Sequence, residues 1–244
     1  MPYRRLPNTD LARLRALRIA FEKGKELPPF QLAYTQNTLQ KIQQFLPLFE
    51  KTMMESRQAY HFQAEKSKDY IKISHKAKIY ISHFIQVINM AIIRGDLPPS
   101  ERNFFGLSND QKKVPLFNTE TELIKWGEKL IAGESLRLSK GHSPITNPSV
   151  AVLKVWYEKF LELLKYQKIL QKNSARSQEK ITELRKQADE IILALWNEVE
   201  HFYSSLPEDK KRENAKLYGL VYVLRKNEKK RQEAPDGSFA GNPV

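Results

Sequence analysis

The chain repeats itself, and a fold made of one unit twice has to accommodate both copies. Asn8-Thr9-Asp10 returns 110 residues later as Asn118-Thr119-Glu120. At the same offset Asn37 meets Asn147, Met53-Met54 meets Leu163-Leu164, and Lys66-Ser67 meets Arg176-Ser177. Ile71 and Ile81 likewise meet Ile181 and Ile191, and Gly24 has a counterpart near Gly133. The register then drifts. Leu97-Pro98 returns as Leu206-Pro207, and Gly106-Leu107 returns as Gly219-Leu220 after a small insertion. Each match alone is weak, but their common order argues for tandem duplication. The expected organisation is a first repeat over 1–110, a second over 111–226 packed with it into one domain, and a disordered tail over 227–244.

Each copy reads as one short helix, a loop and two long helices. The short helices are predicted over about 9–23 and 119–133. Thr119 and Glu122 have the T-x-x-E spacing of a capping box, which satisfies free N–H groups at a helix start. Gly24 and Gly133 are expected to stop these helices. Leu27-Pro28-Pro29-Phe30 in one copy and Gly141-His142-Ser143-Pro144 in the other should resist helix. The first long helices are predicted over about 39–66 and 149–174. Leu153, Trp156, Phe160, Leu163, Gln167 and Leu170 mark the buried side of the later one. Pro47 should kink or break the earlier one, because it cannot donate to Gln43. The second long helices carry the clearest stripes. In copy one the stripe is Tyr70, Ile73, Ala77, Tyr80, Phe84, Val87 and Ala91, with Lys72 and Lys76 opposite. In copy two it is Ile181, Leu184, Ala188, Ile191, Leu195, Val199 and Phe202. The predicted fold is therefore all-α: four long helices in a bundle, built from two tandem helical-hairpin repeats, each preceded by a short helix.

Composition limits the function classes. The chain has no cysteine, which removes disulfides, thiolate metal ligands and cysteine nucleophiles together and fits a cytoplasmic setting. No window reaches the roughly 20 apolar residues of a membrane span. Arg13, Arg15 and Arg18 interrupt what would be the apolar stretch of a secretory signal. The net charge is +13 and evenly spread: residues 1–110 hold 17 basic and 10 acidic groups, and residues 111–244 hold 24 and 18. Such a balance favours polyanions without naming one.

Signatures of chemistry are scarce. The sequence contains no H-E-x-x-H, no Gly-rich phosphate loop, no G-x-S-x-G and no calcium loop. Glu198-Val199-Glu200-His201 holds one E-x-x-H, half of what a two-iron bundle site needs. The aligned Asn89-Met90-Ala91-Ile92 supplies no second half, so a solvated pair is the expectation. No residue is assigned to catalysis, to a cofactor or to a metal. His75 and His83 are expected on the surface, and Trp126, Trp156 and Trp196 as apolar anchors at helix contacts. Two basic clusters remain as candidate polyanion contacts. One is Arg4, Arg5, Arg13, Arg15 and Arg18, with only Asp10 as an acid before residue 22. The other is Arg225, Lys226, Lys229, Lys230 and Arg231. The helix matching the first cluster has Leu123, Lys125 and Glu128 in place of its three later arginines, so the charge belongs to one copy and not to the shared unit.

The strings YRRLPNTDLARLRAL and LIKWGEKLIAGE…PITNPSVAVLKVWYEKF resemble uncharacterised helical proteins of Bacteroidetes bacteria. The resemblance implies a bacterial protein and brings no activity, cofactor or site residue with it. The functional expectation is a noncatalytic helical interaction or scaffold protein with a protein partner. The alternative is a nucleic-acid-associated protein that uses the two basic clusters.

Overall fold

Thr9 and Thr119 begin two helices in the same way. The Thr9 hydroxyl accepts from the Ala12 amide at 3.2 Å, and the Thr119 hydroxyl accepts from the Glu122 amide at 3.2 Å. Glu122 completes the expected box by accepting from the Thr119 amide at 3.0 Å. The computed structural model describes residues 2–108 and 113–224. The described chain is predominantly helical, in the order β1 (Tyr3–Arg4), α1 (Asp10–Glu26), α2 (Gln36–Arg94), α3 (Glu120–Ser139), α4 (Val150–Phe202), α5 (Glu208–Lys216) and β2 (Tyr222–Val223). Short 3₁₀ helices lie at Pro29–Gln31 and Pro99–Phe105. The two strands pair antiparallel, Tyr3 opposite Val223 and Arg4 opposite Tyr222. The all-α expectation holds. The tail expected over 227–244 falls outside the described residues.

The expected hairpins are replaced by single helices. α2 continues through the turn predicted near 66–68, and α4 continues through the one near 174–176. Neither 58–70 nor 170–182 contains Gly or Pro, the residues that end helices. No residue between Ser56 and Ala77 is buried, so the apolar stripe fades there while the helix goes on. Pro47 also lies inside α2 without ending it. Leu46 and Phe49, both buried, pack on either side of it.

Gly24 and Gly133 lie within α1 and α3 and do not terminate them. They supply space instead. A Cβ on Gly24 would stand 2.4 Å from Leu39 Cδ1, and one on Gly133 would stand 2.4 Å from the Phe104 carbonyl oxygen.

The chain forms two compact units, each drawing on both expected repeats. One comprises Met1–Gln58 and Arg176–Val244, the other Ala59–Ala175. The first unit contains α1, the early part of α2, the late part of α4 and α5. Leu17, Ile42, Phe49, Ile192, Leu195 and Trp196 are fully covered in its core. The second unit contains the late part of α2, Pro99–Phe105, α3 and the early part of α4. Ile81, Phe84, Phe105, Leu130 and Phe160 form its centre. Here α2 and α4 run antiparallel: Tyr70 stacks on Phe160 at 6.3 Å, and Tyr80 on Trp156 at 5.7 Å. Phe84 and Leu195 are buried as their stripes predict, and Lys72 and Lys76 face water. Phe202 is half exposed, because it stands at the last residue of α4.

Two reciprocal ion pairs join α1 to α4 in the first unit. Arg13 donates through Nε and Nη2 to Asp189 at 2.8 and 2.9 Å. Arg185 donates in the same way to Asp10 at 2.7 and 2.8 Å. The hydrogen bond from Arg185 holds the Asp10 carboxyl below its ordinary value, helped by the charges of Arg185, Arg13 and Arg57. A carboxyl depressed by folding contributes stability above its unfolded value, here near 3.8, and that contribution is lost as pH falls through the lower folded value. Asp10→Asn is therefore expected to lower the melting temperature at pH 7 and to flatten the acid limb below about pH 4. Thermal unfolding against pH measures this, and parallel acid limbs for the two proteins would contradict it.

Candidate functional site

The structure sorts the five N-terminal arginines into two groups. Arg4 donates to Asn197 at 2.8 Å and to Glu200 at 2.9 Å, and the Tyr222 hydroxyl donates to the other Glu200 oxygen at 2.7 Å. Arg13 is held by Asp189, and Arg18 forms an ion pair with Glu50. Arg5 and Arg15 are exposed, and among the described residues neither has a carboxylate partner. Helical geometry accounts for the contrast between Arg13 and Arg15. Two residues turn a helix by about 200°, so a side chain aimed at α4 leaves the next-but-one aimed away. Arg225, Lys226, Lys229, Lys230 and Arg231 lie outside the described residues.

Arg5 and Arg15 meet again at the border of a cavity of about 310 Å³ in the first unit, with Lys216 as a third cation. Its lining includes Leu6, Pro7, Ala16, Ile19, Leu220 and Val221 and contains no carboxylate. Three cations beside an apolar wall form a site for an anion, since little water screens the charges and no internal acid competes.

Local folding explains how these residues converge. Arg15, Ala16 and Ile19 come from α1, and Lys216 is the last residue of α5. The chain then turns at Gly219, where φ is +87° and a Cβ would stand 3.2 Å from the Ala16 carbonyl oxygen. A residue with a side chain would be strained by the backbone and crowded by α1. Arg5 is set by its amide, which donates to the Val221 carbonyl at 2.8 Å. Trp196 of α4 also lines the cavity. It is fully covered, yet its Nε1 has no hydrogen-bond partner. A buried N–H left unpaired costs about 1–3 kcal/mol.

Other polar clusters are occupied with holding the fold. Glu198 of the E-x-x-H accepts from the Thr35 amide and the Thr38 hydroxyl, each at 2.7 Å, at the start of α2. His201 is exposed, as are His75 and His83. In the second unit Arg137, buried, donates to Glu134 at 2.9 Å, to Glu101 at 3.0 Å and to the Ser143 carbonyl. Glu134 also accepts from the Ile145 amide at 2.8 Å. These bonds tie Pro99–Phe105 and the segment after α3 to α3 itself. Trp156 has Tyr80 stacked on it, and Lys76 and Lys159 lie 4.5 and 4.9 Å from its ring centroid.

Lys216 and the role of Trp196 escaped the sequence reading. Lys216 sits in a run of mixed charge, and Trp196 reads as one more apolar anchor. The Gly-Leu match at 219–220 was the available signal, since it marks where the chain closes against α1. Among the described residues no helix is long and apolar enough to cross a membrane. Comparison of the chain with protein-family models, with curated proteins and with solved structures gave no match.

The unpaired indole N–H makes a specific expectation. Trp196→Phe should change stability by less than about 1 kcal/mol, because losing the N–H offsets lost volume. Trp196→Ala should cost about 3–5 kcal/mol. Denaturant unfolding distinguishes the two, and equally large losses would mean that the N–H is bonded in solution.

Proposed function

We propose that this protein is a noncatalytic helical interaction protein of the cytoplasm, a scaffold made from two tandem copies of one unit, and that it grips a protein partner at the first-unit pocket. One observation carries the reading. Arg4, Arg13 and Arg18 are engaged in ion pairs, while Arg5, Arg15 and Lys216 stand without carboxylate partners at one apolar cavity. A charge arrangement with no use inside the fold is suited to a use outside it.

The tandem-copy part draws support from matched details. Pro98 and Pro207 each precede the short helix that follows a long one. Gly106 and Gly219 both have positive φ, and each is followed by a buried leucine. A Cβ on Gly106 would meet Lys129, and one on Gly219 would approach Ile19, positions again 110 residues apart. These parallels favour two copies in which the end of each lies against the short helix of the other.

Nucleic-acid association is the second reading, and the strand pairing favours it. β2 ends at Val223, opposite Tyr3, so the cluster beginning at Arg225 follows directly on the strand beside Arg4 and Arg5.

Purification of the native protein, with and without nuclease and at two salt concentrations, separates the readings. A protein partner should survive nuclease and be lost from Arg5→Glu/Arg15→Glu, whose folding is checked by circular dichroism. Release by nuclease with a steep salt dependence would replace this reading with the nucleic-acid one. Retention of the partner by the double variant would remove the pocket from the account.

A further inference from the structure

The pocket makes three demands on one occupant. Its cations, Arg5, Arg15 and Lys216, ask for a negative head. Its apolar wall, with Ala16, Ile19 and Leu220, asks for a hydrocarbon body. Trp196, also in that wall, carries a buried donor without an acceptor. Inorganic phosphate meets the first demand alone. A fatty acid meets the first two but brings no acceptor beyond its head.

We propose that the pocket binds the C-terminal end of a partner polypeptide, its free carboxylate held by Arg5, Arg15 and Lys216 and its apolar last residue set against Ala16, Ile19 and Leu220. The proposal rests on the interaction reading above and names the chemistry of that partner. A chain end carries all three features within one or two residues. The carboxylate is planar and matches the fork of a guanidinium. The last side chain supplies the apolar body, and the adjoining peptide carbonyl supplies an acceptor for the indole N–H.

The size and opening of the cavity fit this occupant. About 310 Å³ lies at the small end of cavities that enclose whole ligands. Arg5, Leu6, Arg15, Lys216 and Val221 are exposed at its border, so a chain can lead away into solvent. The lining has no acid to repel a carboxylate or compete for the guanidinium groups.

Calorimetry on the full chain tests this with acetyl-Gly-Ser-Leu-Leu as free acid, the same peptide as C-terminal amide, decanoate and inorganic phosphate. The free acid should bind one per chain. The amide should bind at least about ten-fold more weakly, as should the free acid to Arg5→Gln/Arg15→Gln. Trp196→Phe should weaken the peptide several-fold and leave decanoate unchanged. Equal binding of acid and amide, decanoate binding as tightly as the peptide, or no peptide binding at millimolar concentration would each overturn the proposal. The two readings fail separately. A cellular partner lost with Arg5→Glu/Arg15→Glu, when no chain-end peptide binds, overturns the chain-end proposal alone. Peptide binding alongside a partner indifferent to that variant overturns the interaction reading.

Discussion

Two guanidinium–carboxylate pairs of opposite sense set the rotation of α1 against α4. Asp10 and Arg13 lie on one side of the short helix, and Arg185 and Asp189 lie one turn apart on the long one. Side-chain exposure ranges from 12% at Arg13 to 43% at Asp189, so each pair is worth at most about 1 kcal/mol on the exposed-pair scale. Their larger effect is on orientation. An apolar stripe tolerates some rotation of a helix, whereas two bidentate pairs with crossed charges accept one setting. That setting puts Leu14 and Leu17 into the core and Arg15, Ala16 and Ile19 at the pocket.

The rest of the site follows from that placement. The turn at Gly219 fits against Ala16 only if α1 presents its backbone there, and the turn carries Leu220 and Val221 into the cavity wall. Val221 fixes Arg5 through a backbone hydrogen bond, and the β1–β2 pairing holds Arg4 beside Glu200. The core beneath has its own strain, the unpaired Trp196 N–H, borne by a well-packed surround. The second unit stabilises its helix ends differently, with the buried Arg137, Glu101 and Glu134 cluster. Two copies of one plan have thus diverged in the polar chemistry at their short helices.

Much of the helix architecture was legible because it depends on local signals. The Thr119 capping box, the stripes through Phe84 and Leu195 and the proline-rich loops all appear where their residues direct. The hairpins were misread because a fading apolar stripe was taken for a turn. Residues such as Ala59, Glu65 and Lys66 support helix whether or not anything covers them. Gly24 and Gly133 were taken as stops, although their use as close contacts depends on Leu39 and Phe104, which only the fold brings near. Among the arginines, sequence located the cluster but could not tell structural from free charge. The acids that engage Arg4 and Arg13 lie more than 170 residues away.

A charge-reversal cycle at Arg13 and Asp189 tests most directly whether this pair sets α1. Arg13→Asp puts two acids face to face and should lower the melting temperature, and adding Asp189→Arg should recover most of the loss. Arg15→Asp, at an unpaired position two residues on, should leave melting nearly unchanged. If Arg13→Asp melts like the parent protein, or if the double reversal melts no higher than Arg13→Asp alone, the pair does not hold α1 and the sorting of structural from free arginines is wrong.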